Sequence, residues 1–318
     1  VLGFYHWKSR FDLNSKEKLY LQQIQAQTLY IRFFDVDWDE SARQAVPVGE
    51  VDLVPDSALK QIIPVVFITN RTLYHLTDTS IQSLASKILQ KIQKKATQTR
   101  FAFQEVQLDC DWSVETKGKF FELCRLVRAA LNTQKQQLSA TIRLHQIKFS
   151  PKTGIPPVDK GVLMLYNVGK LDGSNAPNSI LDLEITAQYL KNLETYPLSL
   201  DIALPLYSWA VLQRRGQVID LLNEVNSVDF APQKFEKTGK NQWKVSENHY
   251  FAGVYLYKGD TIRLEEIDEK ILQQLAVILD KKLNTKSLRL IFYHLDISVL
   301  GKFSPASLLR LKKILANQ

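Results

Sequence analysis

The chain has 318 residues, 45% hydrophobic and 23% charged, with a formal net charge of +8 and a pI of about 9.2. That composition excludes a disordered or collagen-like chain, and no apolar run approaches the ~20 residues a membrane span requires. The basic residues lie along helical stretches (Lys87, Lys91, Lys94 and Lys95; Lys281 and Lys282; Lys312 and Lys313) without glycine-rich loops or interleaved aromatics, so no nucleic-acid partner is expected.

Two cysteines, Cys110 and Cys124, fall at apolar positions and read as buried free thiols, not a scaffold or a zinc site. The sequence opens on Val1 with no basic-then-apolar leader, which reads as a processed or trimmed chain whose address is removed, so that an exported or surface-attached protein with its leader removed stays open. Neither the cellular address nor the oligomeric state is legible.

In chain order, the apolar pattern switches between strand and helix. Phe4 to Trp7 is a short first strand, followed by a helix from Ser15 to Gln25 capped by Asn14 or Ser15. Thr28 to Asp37 alternates as a second strand, with Leu29, Ile31 and Phe33 outward, Tyr30, Arg32 and Phe34 inward, and Asp35, Asp37 and Asp39 where it runs out. A long loop with Pro47 and Pro55 is a candidate cleft wall. Ile62 to Thr69 is a buried third strand and Ser80 to Lys95 a strongly amphipathic helix.

The fourth strand, Phe101 to Trp112, organises the rest. Glu105, Gln107, Asp109 and Asp111 share one face, and Val106, Leu108, Cys110 and Trp112 the other. A helix follows at once, from Lys119 to Leu131, so the sheet is expected to be parallel and covered, with the carboxylates pointing into a barrel or crevice. Leu138 to Gln146 repeats the design as a fifth strand, with Thr141, Arg143 and His145 on one face. Gly161 to Asn167 is the sixth strand, followed by a Gly-, Asn- and Pro-rich loop and a helix from about Ser179 to Leu193. Leu200 to Trp209 is the seventh.

Residues 226–267 then break into short alternating pieces that read as an antiparallel insertion. The pattern resumes with a helix Glu269 to Leu283, a strand Leu288 to Leu295 and a last helix capped by Ser304 with Pro305 in its first turn. Eight strands mostly followed by helices specify an α/β fold, a (β/α)8 barrel of the TIM type, as one domain over 1–318 with the insertion between strands seven and eight. The alternative doubly wound sheet lacks its glycine loop, since no Gly-x-Gly-x-x-Gly occurs.

Leu108-Asp109-Cys110-Asp111-Trp112 resembles the fourth-strand signature of the family 18 glycoside hydrolases, the chitinases and their relatives, D-x-x-D-x-D-x-E. Met164 to Asn167 is similar to their M-x-Y-D, and Ile202 to Ser208 to their G-[VL]-P-x-Y-G. The V-Q-L-D-x-D run also resembles uncharacterised bacterial barrel proteins, for which no activity is implied. The resemblance implies a glycoside hydrolase-like barrel acting on, or binding, a carbohydrate at the carboxyl ends of its strands, with an oligosaccharide or glycan as partner. It departs where it matters most: the general-acid glutamate falls on Ser113, and the sixth-strand aspartate on Asn167.

Asp109 and Asp111, about 7 Å apart along the strand, are the candidate catalytic pair, since mutual repulsion raises one pKa. A further acid from Asp35, Asp37 or Asp296 stays open. Glu105, Gln107, Arg143, His145, Tyr166, Asn167, Tyr207, Trp209 and Trp7 are the candidate substrate-binding residues, with aromatic rings to stack on sugar faces. Arg143 has a second reading, in which it pins Asp109 or Asp111 in an ion pair and makes the site a binding pocket. No cofactor is expected. No metal is expected either, because His6, His294 and Asp296 show no recognised ligand spacing. The alternative to an enzyme is a non-catalytic, lectin-like glycan-binding barrel or surface interaction protein.

Overall fold

The structure is a computed structural model that describes residues 1–56, 62–169, 171–172, 178–223, 225–283 and 288–315. Eight strands form the barrel: β1 (Leu2–His6), β2 (Thr28–Asp39), β3 (Ile62–Ile68), β4 (Glu105–Asp109), β5 (Gln137–Arg143), β6 (Lys160–Met164), β7 (Leu200–Pro205) and β8 (Leu290–Tyr293). Each pairs in parallel with its neighbours, β8 with β1 and β1 with β2, so the sheet closes on itself. Closure removes the edge strands, and the outward apolar faces are covered by helices.

The helices follow from their caps and stripes. α1 (Ser15–Gln23) is opened by an Asn14–Glu17 capping box. α2 (Asp78–Thr99) starts at Thr77 and buries Ile81, Leu84, Ala85, Ile88, Ile92 and Ala96, one continuous stripe against the barrel. α3 (Lys117–Asn132) buries Phe120, Leu123, Cys124, Val127 and Leu131. α4 (Leu183–Tyr189), α5 (Glu269–Asp280) and α6 (Pro305–Ile314) are capped by Asp182, Asp268 and Ser304. Trp112 lies in this outer layer, 2% exposed and stacked on Phe120 at 4.9 Å. The glycine- and proline-rich loop expected after the sixth strand falls largely on residues 173–177, outside the described residues.

Between β7 and β8 sits a five-stranded antiparallel sheet with its own buried cluster, including Leu212, Leu222, Phe230, Trp243 and Ile262. It includes Trp209–Arg214 and Gln217–Asn223, upstream of position 226 where the sequence pattern changes. Trp209 therefore opens the insertion instead of ending β7, which stops at Pro205, where proline has no N–H to extend the ladder.

Two local departures from simple alternation matter for the mouth of the barrel. In β2 the register against β3 steps from Arg32↔Val65 to Phe34↔Val66, so Phe33 is an extra, bulged residue. The bulge reverses the parity beyond it. Phe34 turns outward toward Lys91 of α2, and Asp35 turns inward beside Arg32. The expected inward Phe34 is corrected by this bulge. In β5 the strand ends at Arg143, and Leu144–Lys148 is already helical.

Candidate functional site

The inward side chains of the barrel stack in three layers, and the lowest is a closed ionic floor. Arg289, just ahead of β8, donates to Glu105 at 2.5 Å and to the Tyr30 hydroxyl at 3.1 Å. Its backbone N–H donates to Asp201 at 2.8 Å, and Lys160 meets the same carboxylate at 2.8 Å. Two cations thus face two carboxylates that are 2% and 0% exposed. The middle layer is neutral: the Tyr5 hydroxyl donates to Gln107 at 2.6 Å, and Gln107 reaches Ser139.

The upper layer opens to solvent. Asp109 accepts from the Thr141 hydroxyl at 2.6 Å and from Arg143 Nη2 at 3.2 Å, while Arg143 Nε donates to Asp111. One guanidinium therefore spans both aspartates. Burial raises the Asp109 pKa above the ordinary carboxylate range against the pull of Arg143 and Thr141, and Asp111 adds a further push upward. Arg143 is driven further toward its charged form by Asp109 and Asp111, which outweigh its own desolvation. Across the mouth the bulge in β2 creates a second pair, Arg32 with Asp35, three residues apart yet on one face. Gly49, at φ +56°, folds over that pair; a Cβ there would lie 2.5 Å from Arg32 Nη2.

Above these pairs lies a cavity of about 640 Å³ walled by aromatic rings. Tyr293 is central, with Tyr166 at 5.4 Å, Tyr207 at 5.6 Å, Tyr5 at 6.0 Å and Trp7 at 6.2 Å between ring centroids. Trp209 stands 5.5 Å from Tyr207, its indole N–H donating to Glu265 at 2.8 Å. The Tyr207 hydroxyl donates to Asn167 at 2.7 Å, and Asn167 is itself held at φ +58°. Burial pushes the Tyr293 phenol up to about 12, so it stays protonated as a donor. On the far side Lys302 donates to Ser208 at 2.9 Å and pairs with Glu266 at 3.3 Å.

Of the residues expected from sequence, Asp109, Asp111, Arg143, Tyr166, Asn167, Tyr207, Trp209 and Trp7 all line this cavity. Three do not. Glu105 is in the floor, tied to Arg289, two layers below the mouth. Gln107 is consumed by Tyr5 and Ser139 in the middle layer. His145 is exposed on the helix after β5, because the strand ends two residues earlier and the alternation that put it beside Arg143 no longer applies. Ser113 is not part of the cavity wall; its backbone N–H and hydroxyl bond to Thr116 at the start of α3.

No family model matches the chain, and no curated protein does. Solved structures do. A chitinase from Chromobacterium violaceum ATCC 12472 superposes with a TM-score of 0.60 at 11% identity over 100% of this chain and 99% of that one. The fold is that of the chitinase barrels. A class V chitinase from Nicotiana tobaccum matches at TM-score 0.57 and 13% identity over 100% and 99% of the two chains, and an E115Q mutant of it is seen in complex with NAG4. The spore cortex-lytic enzyme SleL of Bacillus megaterium QM B1551 matches at 0.59 and 11%, covering 98% of this chain and 73% of its own. Identities this low establish the chitinase-type fold and nothing finer about the site.

Sequence reasoning did not name Tyr293 or Arg32 as site members, and it left Asp35 as one of three candidates for a further acid without seeing its pairing with Arg32. The pair had a signal: Phe33 and Phe34, two large apolar neighbours, interrupt a strand that otherwise alternates. Tyr293 had a weaker one, its position at the end of the last strand.

Proposed function

We propose that the cavity binds a carbohydrate chain and that the barrel holds it without the acid-assisted cleavage of a glycoside hydrolase. The observation that carries this reading is Arg143 bridging Asp109 and Asp111. A general acid must carry a proton and give it to the glycosidic oxygen, and assistance of this kind contributes typically ~10²- to 10⁴-fold. Among the described residues every carboxylate lining the cavity is held by an arginine: Asp35 by Arg32, and Asp109 and Asp111 by Arg143. Position 113, where the resemblance would put the acid, is a serine bonded to Thr116.

The aromatic wall suits a sugar chain. Tyr166, Tyr207, Trp209 and Trp7 offer flat faces for apolar sugar surfaces, and Asn167 and the aspartates offer hydrogen bonds at their edges. A hydrolytic reading rests on one observation, that burial raises the Asp109 pKa above the ordinary carboxylate range. The two readings separate in one experiment: calorimetric titration with oligosaccharides beside hydrolysis assays, on wild type, Asp111→Asn and Ser113→Glu. Binding without turnover in the wild type is expected. Robust wild-type turnover abolished by Asp111→Asn would overturn the non-catalytic reading, and no binding to any glycan would overturn both.

A further inference from the structure

The cavity wall carries three cations and three carboxylates, but they are not matched one to one. The cations are Arg32, Arg143 and Lys302. Arg32 is matched one-to-one by Asp35, and Lys302 by Glu266 at 3.3 Å just outside the wall. Arg143 alone serves two carboxylates, Asp109 and Asp111. With Lys302 engaged by Glu266, the local excess is at Arg143, where two carboxylates share one cation below the aromatic rings. Asp109 is 5% exposed and is satisfied by Thr141 and Arg143, so the surplus is presented to the cavity through Asp111, whose side chain is 57% exposed.

A carboxylate in excess beneath tyrosine and tryptophan rings is the environment that attracts a cation. The faces of the rings carry negative quadrupole potential, and an ammonium group gains from both the rings and the carboxylate. Tyr166, Tyr207 and Tyr293 line the same cavity as Asp111, their ring centroids 5.4 to 6.0 Å from one another. A neutral acylamino group, in contrast, brings no positive charge to that carboxylate.

Resting on the carbohydrate reading above, we propose that the ligand is a glycan containing an amino sugar whose amine is unacylated and protonated. The ammonium sits against Asp111 in the aromatic-walled cavity, and neighbouring neutral rings of the glycan stack on Tyr207 and Trp209.

The test is calorimetric titration at pH 5.5 with three β-1,4-linked tetramers: glucosamine, its fully N-acetylated counterpart and glucose. Wild type is expected to bind the glucosamine tetramer at least tenfold more tightly than either neutral tetramer. Asp111→Asn is expected to bring the three affinities within about threefold, mainly by weakening the glucosamine tetramer, while Lys282→Met, which removes a cation outside the cavity wall, leaves the preference in place. Unchanged near-ultraviolet circular dichroism confirms that the exposed Asp111 variant is folded. Equal or tighter binding of the N-acetylated tetramer by wild type, or a preference for the amine that survives Asp111→Asn, overturns the proposal while leaving carbohydrate binding intact. Failure of all three tetramers to bind overturns this proposal together with the carbohydrate reading.

Discussion

The same strand, β4, enters two arginine–carboxylate clusters that behave in opposite ways. At the floor Glu105 joins Arg289, Lys160 and Asp201, two charges of each sign, sealed from water at 2% and 0% exposure of the carboxylates. At the mouth Asp109 and Asp111 share the single guanidinium of Arg143, and Asp111 stands largely in solvent. The chemistry of the pairs is identical; the stoichiometry and the solvent are not. A balanced, buried set locks strands together, because losing any member strands a charge in a low dielectric. An unevenly matched, open set leaves Asp111 facing solvent, where the proposed ligand would meet it.

The largest expected effect tests the floor. Arg289→Met leaves Glu105 and Asp201 short of a cation and is expected to cost about 3–5 kcal/mol in urea unfolding. Adding Glu105→Gln to Arg289→Met should recover part of that loss, since the two residues share one interaction. If the single variant unfolds like wild type, the floor is not the lock described.

The next effect separates the mouth from a buried histidine on β1. His6 is 1% exposed and packs edge-on to Phe11 at 4.8 Å. Burial first, then Lys8 and His294, hold its pKa down to about 4, against the opposing pull of Asp296. A depressed histidine contributes stability that is present above its unfolded pKa of 6.5 and is lost as pH falls from 6.5 through 4. The loss should be on the order of 3 kcal/mol, and His6→Gln should flatten it. Asp109 acts with the opposite sign. Its native pKa is raised, so the folded state holds its proton more tightly, and stability falls as pH rises from the unfolded value through the native one. Asp109→Asn should remove that fall. Urea midpoints across pH 3 to 8 for the two variants check both arms, and arms of the same sign would contradict the account.

The smallest expected effect is at the mouth. Arg143→Met should cost only about 1–2 kcal/mol, because Asp111 is free to face water once released, and Asp109 keeps the Thr141 hydroxyl and can take up a proton, its pKa being raised already by burial. A loss as large as that of Arg289→Met would erase the distinction between the two clusters.

Much of this was legible in the sequence, for a physical reason. Alternation along β4 and β5 is enforced by the pleat, so Asp109, Asp111 and Arg143 had to share a side, and the caps at Asn14, Thr77 and Ser304 mark helix starts directly. What was not legible arises where regular geometry stops. One bulged residue, Phe33, exchanged Phe34 for Asp35 in the mouth. An early helical turn removed His145, and depth along the barrel separated Glu105 from Asp109 although both point inward. Sequence period reports which face a side chain takes; it does not report how far down the barrel it lies or which cation reaches it.

The central claim, that the mouth binds a glycan without cleaving it, is tested most directly by one titration followed through to its products. Wild-type protein is titrated with an oligosaccharide in the calorimeter, and the cell contents are then resolved by size after prolonged incubation. The account expects a saturable heat at one site per chain and a ligand recovered at its original length. Shortened sugar chains that vanish when Asp111→Asn is titrated in the same way would contradict it.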